Sequence, residues 1–177
     1  MNVIEYTLLA VGTLLLVFAT WRVSLKAGRY HGLYRFVSFE SILILVLLNW
    51  QRWFTDPLSV RQIASWILLT ASIVPVSLGF RTLRLHGKAQ SQFENTQALV
   101  TTGIYRHIRH PMYLSLMLLG SGVCLKDPTE VVICLGIVNC VALVATALRE
   151  EKEMVEKFGD KYVAYMTKSK MFIPNLL

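Results

Sequence analysis

Long apolar blocks separated by short connections decide what this chain can fold into. Five follow one another: Val3 to Trp21, about Phe36 to Trp50, Val60 to Phe80, Met112 to Leu125 and Val131 to Leu148. Crossing the hydrocarbon core takes about 20 helical residues. In lipid the backbone must satisfy its own hydrogen bonds, which leaves only helices or a closed barrel. The blocks therefore predict an all-α polytopic membrane protein of about five transmembrane helices. The fourth run is short for an independent span, and the Asp127-Pro128 turn after it predicts a C-terminal helical hairpin with the fifth. Pro75 inside the third block is tolerated in a membrane helix. The composition agrees, with 54% hydrophobic and 16% charged residues and a mean hydropathy of +0.50. Soluble domains run at about 45–50% and about 25%.

The net charge of +7 sits in the connections. Arg22, Lys26, Arg29 and Arg35 follow the first block, and Arg81 to Arg109 is a long basic segment with the single acid Glu94. Basic loops flanking spans set orientation, so the charge reads as topology and not as nucleic-acid binding. The N-terminus and the Gln51 to Arg61 loop are expected outside, and the 81–109 segment and the tail in the cytosol. Trp21, Trp50, Trp53 and Phe54 read as interface markers. Glu5 in place of a basic start disfavours a cleaved signal peptide. Cys124, Cys134 and Cys140 all lie in apolar stretches without CxxC spacing, which suits packing and not a disulfide framework or zinc site. The tail from Glu150 to Tyr165 has helical spacing with a Phe158-Gly159 stop, predicting a cytosolic helix-turn-helix.

The residues able to do chemistry gather where the basic segment becomes a span, in Gly103-Ile104-Tyr105-Arg106-His107-Ile108-Arg109-His110-Pro111-Met112-Tyr113. Pro111 suits the first turn of a helix. It also pushes His110 into extended geometry at the helix lip, beside free backbone donors. A titratable group at the bilayer edge is a site candidate. The competing reading is an interfacial belt of Tyr105, Arg106, Arg109 and Tyr113. Glu150-Glu151, directly after the last span, runs against the usual basic flank and calls for a partner. The competing reading there is a solvated first turn, balanced by Arg149, Lys152 and Lys157. His107 and His110 lack the regular helical face that metal-binding pairs need, so no metal site is expected. Ser115 has no base and orienting acid, and no glycine-rich loop follows a strand.

Leu99-Val100-Thr101-Thr102-Gly103-Ile104-Tyr105, then Arg109-His110-Pro111-Met112-Tyr113, then Glu150-Glu151 and Phe158-Gly159-Asp160-Lys161-Tyr162, closely resemble the isoprenylcysteine carboxyl methyltransferase family and the related phospholipid methyltransferases. The resemblance covers about residues 80 to 173. One membrane domain over residues 1–177 is the simplest reading of the composition, with N-terminal spans to residue 80, and the resemblance implies a cofactor-binding core from 81. It implies S-adenosylmethionine as cofactor, lined by Gln90, Leu99, Val100, Tyr105, His110, Pro111, Met112 and Tyr113 and closed by Glu150. Two positions depart from the family pattern: Gln97 stands for a histidine, and Thr146 for an arginine that serves the carboxylate of a prenylcysteine substrate.

The function implied is transfer of a methyl group from S-adenosylmethionine to a lipid or lipidated acceptor arriving from the membrane, either a prenylcysteine carboxylate or a phospholipid amine. A carboxylate acceptor needs no base, whereas an ammonium must lose a proton, which makes His110, Glu150 or Glu151 the catalytic candidates. The alternative is a noncatalytic transporter or assembly subunit. A transporter should carry ionisable residues mid-span, and the charge here reads as confined to span ends.

Overall fold

The computed structural model describes residues 2–86 and 98–174. Within them the chain is helix and turn, and one isolated parallel β-bridge joins Ile108 to Lys170. The helices are α1 (Val3–Val23), α2 (His31–Leu48), α3 (Val60–His86), α4 (Pro111–Cys124), α5 (Glu130–Phe158) and α6 (Asp160–Lys168). Four of them, α1, α2, α3 and α5, are long and apolar enough to cross a membrane. The 14 residues of α4 extend about 21 Å at 1.5 Å per residue, short of the roughly 30 Å core. The chain is a multi-pass membrane protein, and its described residues hold four candidate spans and one shorter apolar helix.

Several helices run past the apolar blocks. The last apolar block and the first helix of the tail are one 29-residue rod, α5, and not a span followed by a separate helix. Residues 149–158 are mostly Glu, Lys and Met, good helix formers with no breaker among them. The break comes at Gly159, whose φ of 56° and ψ of −138° suit only glycine. α2 begins at His31, ahead of the apolar block, just after Gly28 closes a short 3-10 turn in a left-handed conformation (φ 71°).

Contacts divide the chain into two compact units, Met1–Thr70 with Met117–Thr146, and Ala71–Leu116 with Ala147–Leu177. In the first, membrane-type packing dominates: small residues let helices approach, and hydroxyls bond across them. Ser38 Oγ donates to Asn139 Oδ1 (2.7 Å) and Ser65 Oγ to the Gly122 carbonyl (2.6 Å). A side chain at Gly120 would lie 2.3 Å from Asn139 Nδ2. α1 turns Leu8, Val11, Leu14, Leu15 and Phe18 outward, a surface fit for lipid. Its start is a capping box in which Glu5 N donates to Asn2 Oδ1 (2.9 Å) and Asn2 N to Glu5 Oε2 (2.8 Å). Glu5 therefore has a local structural task.

Trp50 and Phe54 are exposed as interface markers should be, but Trp53 is not. It packs against the cluster of Leu45, Leu69, Val123 and Val132, edge-on to Trp66. Between these rings lies Lys126, fully buried, with Nζ 3.7 Å from the Trp66 centroid and donating to Gln62 Oε1 (2.9 Å). Cation–π contact and the amide oxygen replace the water this ammonium gives up.

In the second unit α3 supports the segment that carries the chemistry. Ser115 Oγ donates to the Ser72 carbonyl (2.7 Å), and a Cβ on Gly79 would lie 3.1 Å from Pro111. Gly103 turns the chain with a φ of 59°, and a Cβ there would lie 2.7 Å from Thr82 Oγ1. Glycine is required at this turn both for its conformation and for its close approach to α3.

Candidate functional site

The second unit brings His110, Glu150 and Glu151 together. His110 caps α4, its carbonyl accepting from Leu114 N (3.0 Å), with Pro111 in the first helical position as the sequence predicts. Its ring does not turn to the free backbone donors of that helix. It is buried between two carboxyl groups, with Nε2 3.2 Å from Glu151 Oε1 and Nδ1 3.7 Å from Glu150 Oε2. The Tyr113 ring stacks on it with centroids 5.5 Å apart, and Phe172 lies 6.0 Å away. Tyr113 Oη donates to Glu150 Oε1.

The two acids differ because α5 turns about 100° between neighbouring residues. Glu151 is buried, and Arg109 Nε donates to its Oε1 at 2.6 Å. Glu150 keeps 22% of its side chain exposed. The charge of Glu151 lies past the apolar run of α5. Burial disfavours it, but the hydrogen bonds and charge that His110 and Arg109 bring outweigh burial and hold the carboxyl below the usual carboxylate range.

Arg109 is no member of an interfacial belt. Its side chain is 9% exposed, and its Nη1 donates to the Ser169 and Met166 carbonyls, the latter at 3.4 Å. The tail also lies along the segment 107–110 as a short parallel strip. Lys170 N donates to the His107 carbonyl (3.0 Å), Arg109 N to Lys170 O (2.8 Å) and His110 N to Met171 O (3.1 Å). Arg106 stays exposed, as the belt reading expects, and so does His107. The signal for Arg109 was present in the sequence, since an acid pair beside a span needs a cation.

Tyr105 is buried in the 3-10 turn Gly103–Arg106, and its carbonyl accepts from Tyr165 Oη (2.6 Å). Burial raises the Tyr105 and Tyr162 phenols well above their usual range and pushes Tyr165 up to about 12. All three remain hydrogen-bond donors at neutral pH. Leu99 and Val100 are half-buried in the segment leading into the Gly103 turn, and Met112 is half-buried beside buried Pro111. Gln90 lies outside the described residues. Thr146 is fully buried, and its hydroxyl donates to the Ala142 carbonyl of its own helix (2.7 Å). Of the tail acids read as solvated, Glu153 does pair within the helix, 3.9 Å from Arg149 Nε.

A model of the phospholipid methyltransferase family matches residues 60–161, more than half of the 177-residue chain. The chain belongs to that family. No curated protein matches it. The methyltransferase match runs from the start of α3 into α6, and so includes His110, Glu150, Glu151 and Arg109. Membership points to a membrane methyltransferase acting on lipids.

One expectation fails. Charge is not confined to span ends, because Glu40 lies in the middle of α2, where Thr13 Oγ1 donates to its Oε1 (2.6 Å). A mid-span carboxyl is what the transporter alternative would call for, but the apolar spans hold few charged residues.

Proposed function

We propose that this chain transfers a methyl group from S-adenosylmethionine to the amine of a phospholipid. The observation that carries the proposal is the His110 ring set between Glu150 and Glu151 within a chain of the phospholipid methyltransferase family. The donor set fits the cofactor. A partly exposed carboxylate, Glu150, suits an ammonium or ribose hydroxyls, and the stacked rings of His110 and Tyr113 offer a flat aromatic wall. Glu150, His110, Tyr113 and Tyr105 would hold it, with Leu99, Val100, Pro111, Met112 and Gln90 completing the pocket.

When bound, S-adenosylmethionine supplies an electrophilic methyl group on a sulfonium centre. The protein's own contribution is orientation and exclusion of water. An amine acceptor reaches the membrane surface as an ammonium and must give up a proton before it can act as a nucleophile. Glu150 is the acceptor we assign for that proton, because its carboxyl is partly open while Glu151 is engaged by Arg109. A prenylcysteine carboxylate is disfavoured: Thr146 offers no cation where such a substrate would need one, and its hydroxyl is committed to Ala142. The site faces the cytosol in this reading, following the basic connections.

Calorimetry of the purified protein in detergent with S-adenosylmethionine tests the proposal. Binding is expected, and His110→Ala and Glu150→Gln should each weaken it by about 1–3 kcal/mol, as for a lost charge-assisted or buried hydrogen bond. Their effects should be non-additive in the double variant. Lys152→Ala, at an exposed position, should leave affinity unchanged. Absence of binding by the wild-type protein, or full affinity in the double variant, overturns the reading.

A further inference from the structure

We propose that Arg109 and Glu151 are positioning residues that set the hydrogen placement on the His110 ring, and that the C-terminal strip of the chain anchors them. The proposal rests on the reading above only in treating His110 as a site residue.

The geometry forms a relay in one direction. The carbonyls of Met166 and Ser169 accept from Arg109 Nη1, Arg109 Nε donates to Glu151 Oε1, and the same oxygen faces His110 Nε2 at 3.2 Å. Glu151 is held as a carboxylate, and a carboxylate only accepts hydrogen bonds. The ring nitrogen facing it must therefore carry a hydrogen. Nδ1 is the nitrogen turned toward Glu150, 3.7 Å from its Oε2. An orienting carboxylate that fixes which imidazole nitrogen carries hydrogen is a known way of preparing histidine for proton handling. The backbone is placed by the same tail strip, since His110 N donates to Met171 O. Met166, Ser169 and Met171 all follow residue 161, so the anchor lies beyond the stretch that the family model matches.

Nitrogen-15 NMR of the histidine side chains tests this in the full-length protein in detergent micelles. Four histidines are present, and His110→Gln identifies the signals of His110 by their loss. In the wild type, Nε2 should show the shift and proton coupling of a hydrogen-bearing nitrogen from pH 6 to 8. In Glu151→Leu no acceptor faces the ring, so that pattern should be lost, while Glu151→Asp should restore most of it. Glu150→Gln should leave hydrogen on Nε2. Arg109→Lys keeps the charge but cannot span a carboxylate and two carbonyls, so broadened or averaged His110 signals are expected. Circular dichroism and gel filtration separate these effects from unfolding. An unchanged Nε2 pattern in folded Glu151→Leu overturns the proposal. Failure of the methyltransferase reading would appear elsewhere, as wild-type protein that shows the Glu151-dependent ring pattern but does not bind S-adenosylmethionine.

Discussion

Replacing Arg109 by alanine should be among the most costly single changes in the second unit, and the cost can be worked from its partners. The Arg109 and Glu151 side chains are 9% and 7% exposed and meet at 2.6 Å. Removing one member of a buried ion pair costs about 3–5 kcal/mol, mostly because the other charge is stranded. Arg109→Ala strands Glu151, which among the described residues keeps the His110 ring as its neighbour of the required kind. Glu151→Ala should be milder, about 1–3 kcal/mol, since the guanidinium retains the Ser169 and Met166 carbonyls. In the double variant neither charge is stranded. Its cost should not exceed that of Arg109→Ala alone, giving a coupling of about 1–3 kcal/mol. The assay is reversible unfolding by sodium dodecyl sulfate from dodecylmaltoside micelles, followed by far-ultraviolet circular dichroism on all four proteins. If the two single costs add to within about 0.5 kcal/mol, the pair does not share one buried interaction and the reasoning is wrong.

Three further outcomes follow. Because the folded Glu151 carboxyl lies below its unfolded value, the unfolded chain binds more protons at acid pH, so stability rises with pH there. The contribution is complete above about pH 4.3, the unfolded value, and is lost as pH falls through the folded one. Acid titration of unfolding should show this slope in the wild type and a flatter one in Glu151→Gln. Gly103→Ala meets both a φ of 59° and Thr82 Oγ1 at 2.7 Å; a loss of about 1–3 kcal/mol is expected by the same unfolding assay. Cysteine-accessibility labelling should find the Arg22 to Arg35 connection and the tail on one face of the membrane, with the Gln51 to Arg61 loop on the other.

Apolar length fixed the number and order of helices, because lipid leaves a long apolar stretch little choice but to be helical. Helix ends were less legible. The polarity change after Leu148 reads as a boundary, yet α5 continues to Phe158 because helix formation depends on backbone propensity and capping, not on hydrophobicity. The partners of Glu40 and Lys126 escape a reading by apolar length for a related reason. A single polar residue within or beside an apolar run barely alters its average, while its partner, Thr13 for one and Gln62 with Trp66 for the other, sits on a different helix.

The candidate site was legible as a set of residues but not as a set of roles. His110, Tyr113, Glu150 and Glu151 came from motifs, and they do meet in one unit. The bonds between them join residues 37 to 41 positions apart, and those linking Arg109 and Tyr105 to the tail join residues 57 to 60 apart. No local pattern encodes such pairings. Adjacent glutamates look interchangeable in a sequence, but on one helix they point about 100° apart, so each meets a different neighbour. Glu151 turns to Arg109 and becomes fixed, whereas Glu150 turns to Tyr113 and stays partly open. The division of labour between the two acids therefore follows from the helix continuing unbroken through both, which makes the unforeseen length of α5 the structural reason that two like residues hold different positions around one histidine.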